Sequence, residues 1–186
     1  PWQKGRYGTA VGRAVHGVLQ TIDLTSGAGL AEAVAAQAAA EGVVGHEEHV
    51  GTLVQAALAS PTVAEAAAAE HWREMYVGVP LGGGRLLEGY VDLLYRRADG
   101  LVVVDYKTGP VGLDDDLDPL VERYRAQGAS YALAVEAAAG EPVAGVVFVF
   151  LTPQGAVDRP LPDLRRAVDH VRRLAESGDP TLTVVG

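Results

Sequence analysis

Two apolar runs, Leu86 to Tyr95 and Leu101 to Lys107, flank the dipeptide Asp99-Gly100, and no other feature restricts the fold of this chain as much. Both turn residues tolerate positive φ, so the segment reads as an antiparallel hairpin closed by a tight turn. Just upstream, at His71, the texture changes to Trp, Tyr and Val, with Met75, Val77 and Val79 alternating against Glu74 and Tyr76 as in a strand. Pro80 and the run Gly82-Gly83-Gly84 close that strand with a turn. Together the three runs predict a three-stranded meander.

On either side the spacing is helical. From Thr9 onward, Val11, Val15, Val18, Leu19 and Ile22 recur on one stripe and predict a helix ending near Asp23. Leu30 to Glu41, Glu47 to Ala59 and Pro61 to Glu70 read as three alanine-rich helices, the last opened by Ser60 as N-cap with proline at the first helical position. Beyond the meander, Asp118 as N-cap and Pro119 open a helix with Leu120, Tyr124, Gln127, Tyr131 and Val135 on one stripe. Val143 to Leu151 is apolar enough for a strand buried on both faces, and about Asp163 to Ser177 forms a last helix that stops at Gly178. This order, without internal repeat or long linker, predicts one α/β (α+β) domain over residues 1–186, with a mixed central sheet flanked by helices. Residues 1–70 are its helical N-terminal part and 71–186 its sheet core.

A chain of 186 residues can bury a core without staples. No uninterrupted apolar run is long enough to span a membrane, and the polar stretch Pro1 to Arg13 lacks the apolar centre of a signal peptide. The absence of cysteine rules out disulfides, an iron–sulfur cluster and thiolate catalysis, and fits a reducing, cytoplasmic setting. Only Lys4 and Lys107 are lysines, and the net charge is -9. Such a chain does not attract nucleic acid through its net field, so a polynucleotide site here must be local or helped by another domain. The start at Pro1 suggests a domain excised from something larger.

Strand geometry then places chemistry on the hairpin. Side chains alternate with period two, so Asp105 and Lys107 project on one side, roughly 7 Å apart, and Tyr106 points away. A two-residue loop at Asp99-Gly100 sets Asp92 opposite Lys107, whereas a four-residue loop sets it opposite Asp105, and in both registers all three share one face. Two carboxylates about 6 Å apart repel by roughly 3 kcal/mol at an effective dielectric near 20. A divalent cation compensates that repulsion; Lys107 alone, as part of an exposed ion cluster, is the alternative. Oxygen donors of this kind suit Mg²⁺ or Mn²⁺, which activate water and hold phosphate oxygens, and a neighbouring lysine stabilises charge developing on phosphate. The implied chemistry is phosphodiester hydrolysis. Glu88 shares the strand face of Asp92, four residues away, and is a weaker candidate.

Gly89-Tyr90-Val91-Asp92 followed by Val103-Val104-Asp105-Tyr106-Lys107-Thr108-Gly109 resembles motifs II and III of the PD-(D/E)XK nucleases. The resemblance is to the RecB/AddA-like branch, fused to the C-terminus of UvrD/Rep-type DNA helicases. Gly8-Thr9-Ala10-Val11 and Gly12-Arg13-Ala14-Val15-His16 are similar to its first motif, and Gln127 with Tyr131 matches its Gln-x-x-x-Tyr helix. The resemblance implies a restriction-endonuclease-like core in which His16, Asp92, Asp105 and the Tyr106 carbonyl bind metal and Lys107 is the catalytic lysine. Gln127 and Tyr131 would contact DNA or support the site. Glu74, in Trp72-Arg73-Glu74, resembles a recurrent acidic position of the branch and is a further weak candidate. Helical geometry lets His16 leave the core stripe, and Gly12 and Gly17 beside it suggest a close neighbour.

The resemblance implies a Mg²⁺- or Mn²⁺-dependent DNA nuclease domain of a helicase–nuclease chain in repair and recombination. Its partners would be DNA, an upstream ATP-driven motor and a further protein of the same complex. A nuclease fold that only grips DNA or partners, and a free-standing nuclease acting on DNA or RNA, are the rival readings. Other features carry no such chemistry. His46-Glu47-Glu48-His49 lacks zinc-helix spacing, the triple glycine lacks a following Lys-Ser/Thr, and Asp114-Asp115-Asp116 lacks the rest of a calcium loop. Arg165-Arg166 and Arg172-Arg173 read as a solvated helix face.

Overall fold

A computed structural model describes residues 8–81 and 85–177. The turn expected at Gly82 to Gly84 and the helix stop at Gly178 lie outside the described residues. The elements run α1 (Ala10–Thr21), α2 (Leu30–Ala40), α3 (Glu47–Leu58), α4 (Pro61–Ala67), β1 (His71–Leu81), β2 (Arg85–Arg97) and β3 (Gly100–Thr108). They continue with α5 (Asp118–Ala139), β4 (Val143–Thr152), β5 (Gly155–Pro160) and α6 (Leu164–Ser177). The strands form one mixed five-stranded sheet in the order β1-β2-β3-β4-β5, an α/β arrangement with the meander at one side. Among the described residues, no helix is long and apolar enough to cross a membrane.

Two compact units divide the chain. The first comprises Pro1–Glu70, Tyr106–Asp115 and Val149–Asp158, and the second comprises His71–Asp105, Asp116–Phe148 and Arg159–Gly186.

In the first unit, α1 is capped by Thr9, whose hydroxyl accepts from the Gly12 N–H at 3.0 Å, and it buries Ala14, Val15, Val18 and Leu19. Such a cap contributes about 1 kcal/mol. Helices α2 and α3 supply Val34, Ala38, Val50, Leu53 and Val54 to the same core, where the many small alanines allow close packing. Ser60 caps α4 as expected, accepting from the Val63 N–H at 3.2 Å. It also donates to Asp158, whose carboxylate accepts from the Thr62 N–H as well, so β5 holds the start of α4. The helix ends at Ala67 rather than Glu70, because the Ala68 and Ala69 N–H groups turn back onto Ala64, Glu65 and Ala66 carbonyls before the chain enters β1.

In the second unit, β1 and β2 pair antiparallel from His71↔Tyr95 to Leu81↔Arg85, and β2 pairs with β3 from Leu93↔Val104 to Arg97↔Gly100. The hairpin turn is therefore Ala98-Asp99, one residue earlier than the Asp99-Gly100 expected, and Gly100 belongs to β3. Residues Leu101 to Val104 are buried on both faces. Helix α5 begins at Asp118, with Leu117 rather than Asp118 at the N-cap position and no side-chain cap there, and its second half, Gly128 to Val135, is buried on all sides. Arg165 of α6 donates to Glu136 of α5 at 2.6 Å and to the Val143 carbonyl at 2.6 Å.

Strand β5 has no counterpart in the sequence-based expectation. Its sequence, Gly-Ala-Val-Asp-Arg-Pro, contains three poor strand formers, and none of its side chains is fully buried.

Candidate active site

The hairpin register decides which acids meet. Extending Leu93↔Val104 by one residue sets Asp92 across from Asp105, which is the second of the two registers the sequence allows. On its other side, Arg73↔Leu93 and Met75↔Val91 bracket a position where Glu74 stands across from Asp92. Three carboxylates thus line one rung of β1, β2 and β3.

Glu74 reaches this rung through an unusual backbone. Its φ is +51°, and among the described residues only Asp163 shares a positive φ without being glycine. Such a conformation costs about 1–3 kcal/mol, which the surrounding ladder sustains. One oxygen of Glu74 and one of Asp92 lie within 4.8 Å of each other. At an effective dielectric near 20 that approach costs about 3 kcal/mol when both are charged. Asp105 is 5% exposed, and Asp105 Oδ2 and Glu74 Oε2 are both shut off from water. Hard carboxylate oxygens as close together as those of Glu74 and Asp92 fit a divalent cation of the Mg²⁺ or Mn²⁺ type.

Tyr131 of α5 completes the second unit's part. Gly89 makes room for it: a Cβ at residue 89 would stand 2.8 Å from Tyr131 Cε1. Burial, then the negative charges of Asp105, Asp92 and Glu74, push the phenol pKa far upward, against a smaller opposing effect of Gln127. The phenol therefore stays protonated and keeps its O–H. Gln127 Nε2 donates to Tyr131 Oη at 3.4 Å, so the two residues of the Gln-x-x-x-Tyr pair meet one helical turn apart.

The first unit carries the remaining candidates. Helix α1 lies close to the end of β3: a Cβ on Gly12 would stand 2.5 Å from Thr108 Oγ1, and Gly17 faces the Gln37 amide as closely. The His16 ring meets the Tyr106 ring edge-on, with centroids 5.9 Å apart and planes at 89°. Tyr106 is bonded directly to Asp105, and Lys107 follows on the Asp105 side of the strand.

Glu88 is not part of the carboxylate rung. It lies on the exposed part of β2, where its carboxylate accepts from Tyr76 Oη.

A stretch of 52 residues, 28% of the chain, is 48% identical to an ATP-dependent helicase/nuclease subunit from Desulforudis audaxviator and covers 4% of that protein. Another of 74 residues, 40% of the chain, is 38% identical to the ATP-dependent helicase/nuclease subunit of the same name from Acetivibrio thermocellus and covers 6% of it. The chain thus corresponds to a small part of these relatives. A solved structure, that of SSO0001, superposes on 74% of this chain and 71% of its own at 14% identity, with a TM-score of 0.39. The family model of the PD-(D/E)XK nuclease superfamily, whose members are generally nucleases that use divalent metals, matches residues 3–180. The chain belongs to the PD-(D/E)XK nuclease superfamily.

Proposed function

We propose that this chain is a Mg²⁺- or Mn²⁺-dependent DNA nuclease domain, and that it works within a helicase–nuclease chain in DNA repair and recombination. The observation that carries the reading is the rung of Glu74, Asp92 and Asp105, with two of its carboxylate oxygens withdrawn from water. Asp92, Asp105 and the Tyr106 carbonyl would hold the metal, with His16, which packs on the Tyr106 ring, as the nitrogen ligand. Glu74 would ligate the metal or orient its water. Once bound, the metal supplies a nucleophilic water and neutralises a phosphate oxygen.

The protein's own groups do the rest. Lys107 stabilises the charge that develops on the phosphate. The protonated Tyr131 phenol donates a hydrogen bond to a site carboxylate or to the DNA, and Gln127 holds it in place. The likeness to helicase/nuclease proteins supports an adjoining motor as partner. At a net charge of -9 a tethered motor would raise the local concentration of DNA, which the domain attracts poorly alone.

The test is cleavage of end-labelled single- and double-stranded DNA with Mn²⁺, with Mg²⁺ and with chelator. Metal-dependent cleavage that Lys107→Ala abolishes while calorimetry still records Mn²⁺ binding, and that Asp105→Ala abolishes together with binding, is the expected result. Undiminished Mn²⁺ binding by Asp105→Ala would refute the site. Absence of cleavage by the wild-type chain with both metals would leave only a gripping module.

A further inference from the structure

Beside the carboxylates the sheet carries a pair of tyrosines that the hydrolytic site does not use, Tyr76 exposed and Tyr90 half-buried. Tyr76 and Tyr90 are register partners, two residues along β1 and β2 from Glu74 and Asp92. Tyr90 lies two residues from Asp92 on an unbroken strand, so both project from the same face, about 7 Å apart. That is of the order of one nucleotide step in an extended single strand.

The rings form a built surface. Their centroids lie 5.5 Å apart at an interplanar angle of 60°, and Tyr76 Oη donates to Glu88, which pins the outer ring. Tyr76 is 46% exposed and Leu86 is 53% exposed, among the few large apolar side chains so open to solvent among the described residues. The next rung pairs Gly78 with Glu88. The Tyr76 hydroxyl and Leu86 Cδ1 lie 3.4 and 3.7 Å from where a Gly78 Cβ would be, so no side chain at 78 lifts them from the sheet.

We propose that Tyr76 and Tyr90 form a stacking platform for the unpaired bases next to the phosphate held at the carboxylate rung. The proposal rests on the nuclease reading of that rung. Stacking on aromatic rings is independent of sequence and needs no positive charge, so it suits a chain of net charge -9 that cannot rely on phosphate neutralisation. The Glu88 carboxylate repels phosphate and so turns the backbone outward, leaving the bases to meet the rings. Bases in a duplex are already stacked on their neighbours and offer no open face.

The experiment titrates two labelled probes of equal length in chelator at low salt, an oligothymidylate and a strand of abasic sites, and follows fluorescence anisotropy. Wild-type protein should bind the thymidylate about tenfold more tightly, as expected for stacking of a base on an aromatic ring. The Tyr76→Ala/Tyr90→Ala double variant should lose that preference, and Tyr76→Phe/Tyr90→Phe should keep it. Equal or undetectable wild-type binding of the two probes would overturn the platform without any variant. So would an alanine variant that melts like wild type yet retains the preference, or a tyrosine-dependent dimer in sedimentation. Failure of the nuclease reading is separate: thymidylate preference without Mn²⁺- or Mg²⁺-dependent cleavage would sink that reading alone, and cleavage without base preference would sink the platform alone.

Discussion

The Tyr131 ring occupies the space that a side chain at residue 89 would fill, with Cε1 only 2.8 Å from the position of a Gly89 Cβ. The glycine of Gly89-Tyr90-Val91-Asp92 is therefore a packing requirement between β2 and α5, and it sets the position of the phenol whose pKa burial, and after it the neighbouring carboxylates, raise. Gly89→Ala should destabilise the fold by about 1–3 kcal/mol, as overpacking does in a filled site. Tyr131→Ala should absorb part of that loss when combined with it. Urea unfolding of the two single variants and the double checks the coupling, and strictly additive effects would contradict the contact.

The backbone of Glu74 makes a prediction of opposite sign to the usual one for a strand. At φ +51° an L side chain is strained, so Glu74→Gly should be more stable than Glu74→Ala by about 1 kcal/mol, although glycine ordinarily weakens strands. Glu74→Gln keeps the shape and removes one charge from the pair with Asp92, so it should raise the metal-free melting temperature and reduce the increase that Mn²⁺ produces. Thermal melts with chelator and with Mn²⁺ measure both effects; an unchanged metal-induced shift would detach Glu74 from the site.

Tyr131 ties stability to high pH. Its folded pKa lies above the unfolded value of 10.0, mainly through burial. A raised pKa means that the unfolded state gives up its proton first, so the stabilisation is full below pH about 10 and is lost as pH climbs from there toward the folded value. Tyr131→Phe retains the ring and has no proton to lose. The melting temperature of wild type should fall more steeply than that of the variant between pH 9 and about 11. Parallel curves would mean that the phenol ionises as readily in the fold as in the open chain.

Local chemistry alone determined a good deal of this protein. Alternation along two short apolar runs was enough to put Asp92, Asp105 and Lys107 on one face, because period two holds for any register that keeps the parity. The N-cap at Ser60 and the helical stripe of α1 were equally legible, since caps and stripes depend on residues a few positions apart. The turn was displaced by one residue for a reason no dipeptide contains. Gly100 lies at φ +136°, where its Cβ would stand 2.5 Å from the Pro142 carbonyl, which accepts from the Leu101 N–H at 3.0 Å. A neighbour 42 positions away thus draws Gly100 out of the turn and into the strand, and in doing so pairs Asp92 with Asp105. Glu74 entered the rung in the same way, through a positive φ that its own sequence does not favour and that the ladder to β2 imposes. Residue type and spacing fixed which side chains could serve a hydrolytic site; the cross-strand contacts, made between distant segments, decided which of them stand together.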